Sequence, residues 1–102
     1  MRAMRVKFLK TAQLDLLDCG DYYRDIGGAR LARTMLSRIK DPIRTLADHP
    51  ESAPAYEAAP GVRRLVVAGG SFLVFYRVRQ EIEVLHIRRA EREPATAKDF
   101  EQ

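Results

Sequence analysis

The sequence predicts an α+β fold in which a helical hairpin packs on one side of a small antiparallel sheet. Apolar residues recur at helical spacing through the first half of the chain, and three later runs alternate in the manner of β-strands. The predicted order is β-α-α-β-β-β, and strands gathered after helices are typical of α+β domains. A chain of 102 residues accommodates one hydrophobic core, so residues 1–102 are expected to form a single domain with a polar tail at 93–102.

The first half of the chain contains a short strand and two amphipathic helices. Charged and apolar residues alternate from Arg5 to Leu9, which predicts the first strand. Thr11 then offers an N-cap hydroxyl for a helix that ends at Gly27 and Gly28. The apolar stripe of this helix consists of Leu16, Cys19 and Tyr23. The stripe of the second helix consists of Leu31, Met35, Ile39, Ile43 and Leu46.

A proline lies within the second helix. Either the helix kinks at Pro42, or Asp41 caps a new helix with Pro42 in its first position. Since the apolar spacing continues in phase across the proline, the kink is the favoured interpretation. Residues 49–61 then contain three of the five prolines and little periodicity, so they are expected to form a loop.

Three strands are expected between residues 62 and 92. In the middle strand one face carries Phe72, Val74, Tyr76 and Val78, and the other carries Leu73 and Phe75. In the last strand, alternation sets Ile82 and Val84 against Leu85 and Ile87. A helical hairpin covers only one face of such a sheet, so the other face is expected to stay partly open until a partner covers it.

Positive charge is concentrated in the strand region. Residues 61–92 contain seven arginines against three glutamates, and this surplus of four charges equals the net charge of the whole chain. Arginine donates paired hydrogen bonds to carboxylates and phosphates, so the pattern indicates an anionic partner. The functional interpretation has Arg63, Arg77, Arg89 and Arg92 converging on that partner. The alternative is that the arginines pair with the glutamates and solvate the sheet.

Composition excludes several classes of protein. No apolar run approaches the roughly 20 residues of a membrane span, and the N-terminus lacks the apolar stretch of a signal peptide. One cysteine cannot form an internal disulfide, which favours the cytoplasm. Two histidines and one cysteine give no metal-ligand spacing, and no glycine loop suits a phosphate. Neither a metal nor a cofactor is therefore expected.

His86 has a functional and a structural interpretation. A histidine among arginines on a sheet is suited to act as general base on a ribose hydroxyl. Equally, a strand histidine with one hydrogen bond is a common structural residue. The sequence alone leaves both interpretations open.

The chain resembles the RelE/ParE superfamily of bacterial toxins. The resemblance is carried by the β-α-α-β-β-β order and by four segments: His49-Pro50, Val62-Arg63-Arg64, the aromatic strand Phe72 to Arg77, and the ending Ile82 to Arg92. It spans nearly the whole chain. It implies a toxin that is encoded beside an antitoxin and neutralised when an extended or helical antitoxin segment wraps it.

The two branches of the superfamily imply different activities. RelE-like members cleave messenger RNA on the ribosome with basic residues and, usually, a histidine or tyrosine near the C-terminus; ParE-like members poison DNA gyrase without a known catalytic site. Here Arg89 replaces the histidine frequent in ParE-like sequences, Arg92 matches their closing arginine, and no tyrosine or histidine follows. The resemblance thus favours a ParE-like toxin and leaves enzymatic activity open. In the RelE-like alternative, Arg63, Arg77 and Arg89 hold the scissile phosphate, and His86 is the candidate base.

The residues implied to bind a target or partner form one set. They are Arg63, Arg64, Tyr76, Arg77, Arg89 and Arg92. The expected partners are an acidic, amphipathic antitoxin segment on the open sheet face, buried over about 1,200 Å² or more in total, and DNA gyrase or, alternatively, the ribosome with its messenger RNA. A third hypothesis, based on charge alone, is a non-toxic basic module that binds an acidic protein or a nucleic acid.

Overall fold

The computed structural model describes residues 3–91 and 94–101 and confirms the α+β class. Its main elements are β1 (Val6–Phe8), α1 (Lys10–Thr45), β2 (Arg63–Val67), β3 (Phe72–Val78) and β4 (Ile82–Arg89). Short 3₁₀ turns occupy Ala68–Gly70 and Ala97–Phe100. Within the described ranges, no helix is both long and apolar enough to cross a membrane.

The helical hairpin forms within α1, which breaks at a single glycine. Gly28 has φ 85° and ψ 179°, a backbone conformation that is essentially restricted to glycine. The halves on either side, 10–27 and 29–45, approach closely: a Cβ atom at Gly20 would lie 3.4 Å from Leu36 Cδ1. The predicted order is therefore matched in part, because one helical element with a break at Gly28 replaces two separate helices.

The helix continues through Pro42 to Thr45. Thr45 Oγ1 donates a hydrogen bond to the Asp41 carbonyl at 3.2 Å, and the Asp41 carboxylate pairs with Arg44 at 2.6 Å. Asp41 thus lies inside the helix and does not cap a new one. The continuous apolar spacing correctly indicated that the helix continues across the proline, and the kink at Pro42 stays a prediction.

The sheet is mixed, so the expectation of an antiparallel sheet is wrong at one edge. Its strand order is β1-β4-β3-β2. The three later strands pair antiparallel, but β1 pairs parallel with β4, with Val6 opposite Ile82. Hairpin turns oblige β2, β3 and β4 to alternate in direction. No tight turn fixes the direction of β1, because the long element α1 follows it and lets it pair parallel with β4.

A β-bulge in β4 changes which side chains share a face. Phe75 pairs with His86 and Tyr76 with Val84, so Leu85 is an extra residue between them. Strict alternation grouped Leu85 with Ile87, and the structure corrects this. The residues of β4 that pack toward the helix are Ile82, Val84 and Ile87. Leu85 packs on the opposite side, as alternation from Val84 requires. The extra residue shifts the phase after it, so Ile87 joins the helix side instead of sharing a face with Leu85.

Each face of the sheet has its own buried cluster. On the helix-side face, α1 covers Val74, Tyr76, Val84 and their neighbours. On the second face, Phe75 and Leu85 are covered by the loop around Tyr56 and by residues 94–101, called here the C-terminal segment. The ring centroids of Phe75 and Phe100 are 4.9 Å apart. The expectation that a partner must cover this part of the second face is wrong, because the chain covers it itself.

Candidate functional site

Arg63 anchors the loop that precedes β2. Its Nη1 donates to the carbonyls of Ala53 at 2.7 Å and Glu51 at 3.2 Å, and its Nη2 lies 3.8 Å from the Glu51 carboxylate. The register places Arg63 opposite Tyr76, whose ring belongs to the helix-side cluster. These contacts assign Arg63 a structural part on the helix-side face.

Tyr76 is buried and does not form part of a surface. Its side chain is 0% exposed, and its hydroxyl donates to the Pro50 carbonyl at 2.8 Å. Burial raises the pKa of this hydroxyl above its ordinary value. Tyr76 therefore ties the same loop to the sheet, and any effect of it on a partner is indirect.

Arg77 is paired on the second face. Its Nε donates to Glu83 Oε1 at 2.5 Å, and Arg79 lies 4.0 Å from the same oxygen. The hydrogen bond from Arg77 holds the pKa of Glu83 below its usual range. The charge of Arg77 is thus largely neutralised within the sheet.

His86 lies at the edge of β4 where β1 has ended. Its Nδ1 is 2.5 Å from Asp15 Oδ2, and the same oxygen accepts the backbone N–H of Ile87 at 2.8 Å. Asp15 of α1 thereby satisfies part of an otherwise unpaired strand edge. His86 faces this carboxylate, an arrangement that matches the structural interpretation of the residue.

Arg89 lies in an aromatic cluster at the C-terminal end of β4. Its guanidinium carbon is 4.3 Å from the ring centroid of Tyr22, 5.5 Å from that of Phe72 and 5.8 Å from that of Tyr23. Such stacking stabilises a cation and holds its donors in a fixed plane. Glu91 is its nearest paired carboxylate at 3.9 Å, and a third of the Arg89 side chain remains exposed.

A cavity of about 320 Å³ adjoins this cluster, between the first half of α1 and the end of β4. It is named here the Arg89 pocket, and its lining includes Asp15, Asp18, Cys19, Tyr22, Phe72 and Arg89. Burial raises the pKa of the Cys19 thiol, while the charge of Arg89 acts in the opposite direction. Cys19 is thus a protonated wall residue, as its apolar spacing on the helix indicated.

The remaining two predicted residues lie elsewhere. Arg64 is exposed on the second face, with its guanidinium carbon 5.8 Å from the Tyr56 ring centroid. Arg92 lies outside the described residues. The structure therefore does not bring Arg63, Arg77 and Arg89 together, since each is held by different neighbours.

The sequence interpretation missed three residues at these sites, namely Asp15, Tyr22 and Arg88. Tyr22 offered a signal, because an aromatic doublet stands in a stretch otherwise rich in aspartate. Arg88 lies in the same cationic strand as Arg89 but was not singled out, and Asp15 offered no signal. Their positions depend on where β1 ends and on how the chain folds after β4.

The first half of α1 also exposes apolar side chains. Leu14, Leu17 and Ile26 are 50%, 64% and 60% exposed. Beside them an open depression of about 650 Å³, named here the apolar groove, runs between β1 and the two halves of α1. Its lining is Lys7, Phe8, Gln13, Leu16, Leu17, Leu36 and Lys40. The groove thus combines an apolar floor with two lysines and no acidic residue.

Comparison with known proteins assigns the family. Residues 6–94 match the family described as ParE toxin of type II toxin-antitoxin system, parDE. The chain belongs to the ParE toxin family. A similar solved structure is a chain of the chromosomal ParDE TA system from P. aeruginosa, with 28% sequence identity, a TM-score of 0.78, and coverage of 87% of this chain and 98% of that one. Among curated proteins the comparison finds no match. This ParE toxin is accordingly a type II toxin, as the resemblance implied.

Proposed function

We propose that this ParE toxin inhibits DNA gyrase through the surface around Arg89 and Tyr22. The observation that carries the proposal is the stacked pair itself. Tyr22 is 47% exposed while its ring lies 4.3 Å from the Arg89 guanidinium carbon. Tyrosine and arginine are the residues that most often dominate binding energy at protein interfaces, and stacking keeps both rigid before binding.

The placement of the other candidates favours binding over RNA cleavage. A nuclease site needs its cations and its base around one phosphate. Arg63 is bonded to loop carbonyls, Arg77 to Glu83 and His86 to Asp15. These engagements support a toxin that acts by occupying a surface of its target.

A supercoiling assay with purified gyrase and relaxed plasmid tests the proposal. The toxin is expected to lower supercoiling, and both R89Q and Y22A are expected to raise the half-inhibitory concentration about tenfold or more, a factor that corresponds to about 1.4 kcal/mol of binding. R79Q is the matched control, because Arg79 is 62% exposed and follows Val78 at the end of the β3–β4 hairpin opposite the Phe72–Arg89 pair. Thermal melting of each variant shows whether the fold is intact.

Unchanged supercoiling at doses that arrest growth would contradict gyrase as the target. Primer extension on messenger RNA from the same cells then distinguishes the nuclease alternative, which predicts ribosome-dependent cuts. A chain that is harmless when expressed alone would instead fit the basic binding module.

The cognate antitoxin of this type II toxin is proposed to occupy the apolar groove. Leu17 is 64% exposed at its edge, and Lys7 and Lys40 line it without a compensating carboxylate among the described lining residues. An amphipathic segment with acidic flanks complements this surface, since it buries apolar side chains and pairs with both lysines. L17D is expected to weaken the complex at least about tenfold, whereas R79Q leaves it unchanged. Co-purification and calorimetry with the antitoxin measure both variants, and equal affinities would refute the assignment.

A further inference from the structure

A small cavity lies on the second face between the sheet and the C-terminal segment. Its volume is about 140 Å³, and its walls include Tyr56, Arg64, Leu73, Arg88 and Ala95. It is named here the Arg88 cavity. Arg88 and Arg89 line both this cavity and the Arg89 pocket, so the two are neighbours across the end of β4. The Arg88 cavity lies on the second face, because Arg88 is opposite Leu73, which packs in the second-face cluster.

The Arg88 side chain is nearly buried, and part of its donor set is unused. Its side chain is 9% exposed, and its Nη1 donates to Asp99 Oδ2 at 3.1 Å. Its Nε, however, has no hydrogen-bond partner in the described structure. Buried polar groups are almost always bonded, and an unsatisfied donor on a charged group is especially costly, so this atom requires a specific explanation.

A second guanidinium shares the cavity wall. Arg64 stacks over the Tyr56 ring, with 5.8 Å from its guanidinium carbon to the centroid. Tyr56 is itself fixed by donating its hydroxyl hydrogen to the Ala95 carbonyl. Three arginines, Arg64, Arg88 and Arg89, therefore line one cavity. The carboxylate contacts described for them are those of Asp99 with Arg88 at 3.1 Å and Glu91 with Arg89 at 3.9 Å.

We propose that the Arg88 cavity is a binding site for a phosphate-type oxyanion. A guanidinium has two edges that can each donate a pair of hydrogen bonds. In Arg88, Nη1 on one of these edges donates to Asp99. On the other edge, Nε is enclosed by the chain, so an oxyanion in the cavity is received by Nη2 and by the Arg64 guanidinium, which supplies a further donor and charge. With about 30 Å³ for a water molecule, a volume of about 140 Å³ holds one tetrahedral oxyanion and accompanying water.

Two sources share this chemistry: free inorganic phosphate and the phosphodiester of a nucleic acid strand. The inference does not depend on gyrase as the target, because anion binding is tested at Arg64, which lines the Arg88 cavity and not the Arg89 pocket. The experiment separates the two sources by using two probes.

The test follows the arginine Nε–H resonances of the ¹⁵N-labelled full chain during titration with sodium phosphate, at ionic strength held constant with sodium chloride. The Arg88 resonance is assigned by its loss in R88K. It is expected to shift saturably with phosphate, and R64Q is expected to weaken the apparent affinity about tenfold, because it removes a charged donor from the anion. A parallel titration with a short single-stranded oligonucleotide forms the second arm.

R79Q is the control, since it removes an exposed arginine charge away from the cavity. Saturable binding of phosphate that R79Q retains and R64Q weakens supports a site for the free anion. The same pattern with the oligonucleotide alone supports a nucleic acid phosphate as the source. A linear drift in both arms, or equal effects of R64Q and R79Q, overturns the proposal. R64Q changes an exposed side chain, so this comparison remains valid even when R88K destabilises the fold.

Discussion

The two faces of the sheet are built from the same strands but covered in different ways. The helix-side face packs against α1, whose two halves are held together at Gly20 and Leu36. The second face packs against a proline-rich loop and the C-terminal segment, which contribute few apolar side chains besides Tyr56 and Phe100. A helix packs on the sheet through apolar side chains at regular intervals, whereas an irregular segment packs through a few separate side chains. The second cover should therefore open more readily than the first.

The comparison assigns different tasks to the two sides. On the helix-side face, the end of the sheet supports the stacked Arg89 and Tyr22 on a rigid element. On the second face, Arg88 and Arg64 line a cavity whose wall is the weaker cover. A site on rigid elements suits tight protein recognition, and a site under a weakly held segment can be opened or closed.

Two phenylalanines in contact give the sharpest test of this difference. Phe75 on β3 is 1% exposed and Phe100 on the C-terminal segment is 6% exposed, with 4.9 Å between their ring centroids. F75A is expected to cost about 3–5 kcal/mol, as for other core phenylalanines. F100A is expected to cost only about 1 kcal/mol of global stability, because the segment can detach while the sheet stays folded. Urea denaturation measures both, and equal losses would show that the two covers are equally cooperative.

The next largest expected loss of stability comes from a substitution at Gly28, where α1 breaks. G28A is expected to destabilise the protein by about 1–3 kcal/mol, because φ 85° with ψ 179° is strained for any residue with a Cβ. The loss is strain alone, since beyond the adjacent residues and the nearby helix backbone no atom lies within 4 Å of the added methyl group. G20A, within regular helix and with 3.4 Å to Leu36, serves as the control. A G28A variant as stable as the parent protein would refute the strained turn.

A smaller effect is expected for the hydroxyl of Tyr76. Y76F keeps the buried ring but leaves the Pro50 carbonyl without its donor at 2.8 Å, which costs about 1 kcal/mol. Because Tyr76 is 0% exposed, inhibition of the target should stay within about twofold of the parent toxin once folding is confirmed. Inhibition that falls as far as in R89Q would return Tyr76 to the target-binding set.

The smallest effect is a dependence on pH. The hydrogen bond from Arg77 lowers the pKa of Glu83, and a backbone hydrogen bond from Thr96 is the main cause that lowers the pKa of Asp99. Depressed folded-state pKa values contribute stability that is present above the unfolded values of about 4 and is lost as pH falls through the folded values.

Acidification should therefore weaken the second face at two places, the sheet at Glu83 and its cover at Asp99. E83Q is expected to flatten the acid side of the global stability curve by no more than about 1 kcal/mol, since the pair is partly exposed. D99N is expected to change hydrogen exchange in the C-terminal segment and leave global stability nearly unchanged. If acid lowers the stability of E83Q as much as that of the parent protein, other carboxylates cause the loss of stability.

The candidate site was predictable only in outline. Arg89 was singled out because it lies in a cationic strand, but its aromatic neighbours come from α1 and are distant in sequence. Arg63 and Arg77 were grouped with it on charge alone. Local partners at Glu51 and Glu83 then decided their roles, and sequence composition does not reveal such pairing. Arg92 stays a prediction.

By itself the sequence determined the elements. Helical spacing identified both halves of α1, Gly28 marked the break between them, and alternation identified β2, β3 and β4, because these signals are properties of neighbouring residues. The tertiary structure alone decided the parallel pairing of β1, the bulge at Leu85 and the packing of Phe100 on Phe75. Each of these joins segments far apart in the chain, and their free energy comes from contacts that no local pattern contains.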